Sequence, residues 1–147
     1  MSTPVLSVTR DFAAPAERVF DAWLDPADAA RFLFATPDGK IVTCEIDARV
    51  GGEGLIVERR GAEEVPHRLR LEVIERPHRL VFLFSAGPVE DSEWTRVVID
   101  IVPAPGGCTL TLTHAMDPAW AAYEDQTRKG WTMILEGLGR ITEKQDG

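Results

Sequence analysis

Three residues in this sequence could move protons or hold a polar ligand group: His67, His114 and Tyr123. A histidine titrates near pH 7, so one can shuttle a proton and two can polarise a carbonyl. His67 opens the run HRLRLEV and His114 closes the run CTLTLTH. Both runs alternate. His67 shares a side with Leu69, Leu71 and Val73, and His114 shares one with Cys108, Leu110 and Leu112. Each imidazole is thus expected on the apolar face of a strand, where it either faces a cavity or is satisfied within the core. His114 also stands just before a helix, where capping is a third use. Tyr123, the single tyrosine, is expected either to hydrogen-bond a ligand or to pack. Glu58 and Arg96 read as solvated strand residues, and Asp47 and Arg49 as braces of the Gly51-Gly52 turn. That Gly pair precedes a strand and not a helix, so it is no phosphate cradle. No Ser-His-Asp set and no metal-ligand spacing occurs, and no cofactor is expected.

The elements that must position these residues follow from periodicity. From Ala119 to Lys144, Trp120, Tyr123, Thr127, Trp131, Ile134, Leu138 and Ile141 recur every three or four residues. That spacing predicts a long helix with one apolar stripe. Asp117 suits its N-cap and Pro118 its first position. Gly130, Gly137 and Gly139 interrupt it, which fits close approach of other backbone or room for a ligand beside Trp131 and Leu138. Residues 5–12 alternate as a first strand. Residues 16–24 and 27–34 read as two short helices broken at Asp25-Pro26. Alternation then predicts strands over 41–50, 53–60, 67–75, 79–85, 93–102 and 108–114, joined by short turns into an antiparallel meander. In the second of these seven strands Val42, Cys44, Ile46 and Ala48 share one side. Leu80 to Phe84 is nearly all apolar, so it is expected at the sheet centre, covered by its own fold or by a partner, as in a homodimer.

A sheet with one polar face needs cover on the other, and only the terminal helix is long enough to supply it. The expected architecture is α+β: a helix-grip fold in which a curved antiparallel sheet of about six to seven strands wraps the long C-terminal helix. At 147 residues the chain is expected to form one domain, 1–147. Its net charge of −8, without a cluster of Lys and Arg, opposes nucleic acid and anionic membranes. No run of about 18 apolar residues could span a bilayer, and Met1-Ser2-Thr3-Pro4 has no signal-peptide character, so a cytoplasmic location is expected. Cys44 and Cys108 match no metal or redox spacing and read as reduced core thiols; a disulfide between neighbouring strands would be unusual in a reducing cytosol.

The stretch APAERVFDAWLDPADAARF, the turn DARVGG, the strand entry ERPHRLVF, LTLTH and GWTMILEGL occur in that order. Together they resemble START-like (SRPBCC) domains of the branch named for the activator of the heat-shock-protein ATPase. The branch usually carries Trp at the end of the second short helix; Phe32 stands there in this chain, which suggests a reshaped cavity mouth. The resemblance implies a cavity between sheet and helix. Its expected lining is Phe34, His67, Phe82, Phe84, Ile99, Leu112, His114, Tyr123, Trp131 and Leu135, all of which could equally be core. Three functions follow from it. One is binding of a small hydrophobic or amphipathic ligand. Another is an aromatase or cyclase of the polyketide kind. The third is a co-chaperone module in a stress response, which the lack of a further chaperone-binding domain counts against.

Overall fold

Alternating and helical runs fold in the expected order: β1 (Val5–Phe12), α1 (Ala16–Ala22), α2 (Pro26–Phe32), β2 (Lys40–Ile46), β3 (Glu53–Arg60), β4 (Glu63–Glu75), β5 (Arg79–Ala86), β6 (Thr95–Ala104), β7 (Gly107–Ala115) and α3 (Glu124–Thr142). This computed structural model describes residues 5–33, 39–86, 94–115 and 124–143. The strands form one antiparallel sheet ordered β1-β7-β6-β5-β4-β3-β2. β5 is central, and β1, detached in sequence by the two short helices, joins at the β7 edge, so the architecture is the helix-grip fold.

Asp25 caps α2 by accepting from the Ala27 amide at 2.9 Å, and Pro26 fills the first helical position, where its missing N–H costs nothing. The turn into β3 is set by backbone crowding. A Cβ on Gly52 would run into the carbonyl oxygen of Asp47, and Gly51 has φ 85°. Arg49 Nε donates to Asp47 Oδ2 across this turn at 2.7 Å, as expected. The expected loop from Gly61 to Pro66 is shorter, because pairing with β3 carries β4 back to Glu63. β2 departs from strict alternation. Its register slips between Ile41 and Thr43, so Ile41, Cys44 and Ile46 pack against the core while Val42 is exposed.

On the inner face lie Leu6 and Phe12 of β1, Cys108, Leu110 and Leu112 of β7, Val97, Ile99 and Ile101 of β6, Leu80 and Phe82 of β5, Leu69 and Leu71 of β4, and Ile56 of β3, all buried. The outer face is polar: Arg70 pairs with Glu53, Arg79 with Asp100, and Arg96 with Glu72. Arg96 is exposed, as expected. On β5 the outward Val81 is buried and Leu83 half-buried.

α3 runs alongside β1 in the same direction. Arg128 near its start donates to the Ser7 carbonyl at 2.8 Å, and Glu143 past its end accepts from Arg10 and from the Ala13 amide. Its second half is pinned. A Cβ on Gly137 would lie 3.2 Å from Phe32 Cβ, and one on Gly139 would meet the Arg10 guanidinium. These two glycines therefore serve close protein contact. Only Gly130 has open space beside it. Cys108 is buried and Cys44 half-buried; both are free thiols at opposite sides of the sheet, and burial raises the pKa of each, which keeps them unreactive. Among the described residues no helix is long and apolar enough to cross a membrane.

Candidate functional site

At one end of the concave face the apolar lining gives way to polar and aromatic groups. His67 of β4, Phe84 of β5 and His114 of β7 face inward there, and Trp131 of α3 packs onto them from above. The Phe84 ring is the hub. It stacks on His67 (6.2 Å between centroids, 14° between planes) and meets His114 and Trp131 edge to face, each at 6.1 Å. The His114 and Trp131 rings are themselves perpendicular at 5.8 Å. Edge-to-face contact is the preferred geometry for rings with electron-rich faces and positive edges.

Hydrogen bonds fix His114 completely. Trp131 Nε1 donates to His114 Nδ1 at 3.1 Å, and an indole N–H can only donate, so Nδ1 carries no proton. The proton is therefore on Nε2, which donates to Thr95 Oγ1 at 2.8 Å; that hydroxyl donates in turn to the Phe84 carbonyl at 3.4 Å. Burial lowers the His114 pKa to about 4, so the ring is neutral at physiological pH. With both nitrogens engaged and the ring neutral, His114 joins α3 to the sheet and is not poised to shuttle protons. At His67, Nδ1 stands 3.3 Å from the Ile56 carbonyl and acts as donor to it. Burial lowers the His67 pKa, against the opposing pull of that carbonyl and of the Glu58 charge.

Glu58 corrects the sequence expectation. It is 0% exposed, not solvated, and its Oε1 accepts from Arg60 Nε at 2.6 Å. The missed signal was parity: Glu58 follows Gly54 and Ile56 at two-residue steps, all on the buried side of β3. The other expected lining residues divide. Phe82, Ile99, Leu112 and Leu135 are buried in the same hydrophobic cluster as Trp131. Phe34 and Tyr123 lie outside the described residues, as do Asp117 and Pro118. Phe32 is buried against Trp23, and α2 presses its last turn onto Gly137 of α3. Among the described residues no group of His, Cys, Asp and Glu is arranged to hold a metal ion.

The model of the family described as Activator of Hsp90 ATPase homolog 1-like protein matches residues 13–143. This chain belongs to that family. Its fold recurs in solved structures of low sequence identity. A Chromobacterium violaceum protein, CV1439, is 22% identical, with a TM-score of 0.82 over 96% of this chain and 98% of that one. A protein from Rhizobium leguminosarum is 18% identical, with a TM-score of 0.84 over 98% and 97%. An AHSA1-like protein from Aeromonas hydrophila is 24% identical, with a TM-score of 0.79 over 95% and 92%. At these identities the likeness extends to the fold alone. No curated protein matches the chain in sequence.

Proposed function

We propose that this family member binds a small hydrophobic or amphipathic ligand between the sheet and the first half of α3, at the Phe84 cluster. The observation that supports this reading is the state of Phe84. Its ring lies among His67, His114 and Trp131, which are all buried, yet it keeps part of its own surface exposed. A half-buried aromatic residue framed by two buried imidazoles and an indole suits a flat apolar molecule, which stacking and area burial would hold.

Native mass spectrometry of protein purified from its own host tests the proposal. A co-purified small molecule is expected, and Phe84→Ala should release it. A consistently empty wild-type protein would count against the carrier reading.

A second reading, an enzyme of the cyclase kind, is favoured by one observation: the buried Glu58 carboxylate acts electrostatically on the buried His67, and two such groups can serve as an acid–base pair. Glu58→Gln separates the two readings. It should leave ligand uptake largely intact if the protein is a carrier, and should abolish turnover of a bound polyketide-like chain if it is a cyclase.

A further inference from the structure

Deeper on the same face one polar group is left without a partner. Trp23, at the end of α1, is 2% exposed, and its Nε1 makes no hydrogen bond. The rings packed on it are Phe32, edge to face at 5.2 Å, and Phe82 at 6.3 Å. Neither offers an oxygen or nitrogen acceptor. A buried donor left unmade is costly, and a native interior keeps few of them. Phe82 and Phe84 are successive inward residues of β5, so Trp23 stands over the next step of the strand, about 7 Å inward from the Phe84 cluster.

We infer that the Trp23 indole N–H is the specificity-determining donor of the ligand site, and that the ligand is a neutral apolar molecule with a carbonyl or ether oxygen at its inner end. This inference rests on the proposed ligand site. The ligand runs inward along β5 from Phe84, shifts the Phe82 or Phe32 ring from the indole, and presents its oxygen to Nε1. The acceptor is neutral because the rings packed on Trp23 among the described residues are hydrocarbon, and a carboxylate brought against them would be desolvated. A fatty acid would therefore bind with its carboxylate outward or not at all. Selectivity follows from the same asymmetry: a ligand lacking the oxygen leaves the donor unmade, as in the unliganded protein.

The test uses the full chain and two probes of nearly equal shape, 2-acetylnaphthalene and 2-ethylnaphthalene. Affinities are read by fluorescence titration, and the Trp23 indole N–H by proton–nitrogen correlation spectra of the wild-type protein, so no variant need fold. The ketone is expected to bind about ten-fold more tightly than the hydrocarbon, with a downfield shift of the Trp23 indole proton seen with the ketone alone. Trp23→Phe should bring the two affinities together. Equal binding of both probes with no Trp23-specific shift would overturn the inference and leave the carrier reading standing. If neither probe binds, both are overturned.

Discussion

His114 is held by two side-chain partners in a chain of three hydrogen bonds, whose directions fix its tautomer. Trp131 donates to Nδ1, Nε2–H donates to Thr95, and Thr95 donates to the Phe84 carbonyl. His114→Leu keeps the volume but strands the Trp131 N–H and the Thr95 hydroxyl. It should destabilise the fold by about 1–3 kcal/mol in chemical denaturation, and the Trp131 indole proton should move upfield. A full loss of ligand uptake with unchanged stability would instead place His114 in direct ligand contact. The sequence placed His67 and His114 inward because parity along an alternating strand is a local property. The same parity applied to Glu58 would have put it inside. Charge suggested solvent, and the Arg60 partner that permits its burial is itself two residues further along the same strand.

At the scale of elements, the glycines of α3 divide by what faces them. Gly139 faces the Arg10 guanidinium, which lies 4.6 Å over the Phe12 ring and pairs with Glu143. Gly130 faces open space. Gly130→Ala should therefore stabilise the protein by about 0.5–1 kcal/mol, the ordinary helical gain of Ala over Gly. Gly139→Ala should gain less, because the new methyl must push the Arg10 guanidinium aside and loosen its pairing with Glu143. Thermal melts should show the larger upward shift for Gly130→Ala; equal shifts would show that the Arg10 contact has no weight. Helical spacing announced α3 and the presence of its glycines, but not their use, since Arg10 and Phe32 reach the helix from elements more than a hundred residues earlier in the chain. The bulge that turns Val42 outward was equally hidden, because register depends on β3 as well as β2.

Across the whole molecule, the buried imidazoles make stability depend on pH. The His114 pKa is lowered from 6.5 to about 4 in the folded state. The unfolded chain therefore takes up a proton first as pH falls. Stabilisation is fully present above pH 6.5 and is lost as pH drops toward 4, by roughly 3 kcal/mol. His67, lowered in the same direction by burial, adds to the loss. Denaturation midpoints measured between pH 7 and pH 4 should fall steadily, and a flat profile would contradict the burial of both rings.

The order of elements, the antiparallel meander and the long helix that covers the sheet were legible in the residues alone, because periodicities of two and of three to four are set by neighbouring residues. How each inward residue is packed came only from the folded chain. Phe82 and Phe84 have the same parity and chemistry in the same strand, yet Phe82 is fully buried beside Trp23 while Phe84, half-buried, meets His67, His114 and Trp131. That difference is made by which distant elements descend on each ring, and distances between remote segments are not written in any local pattern.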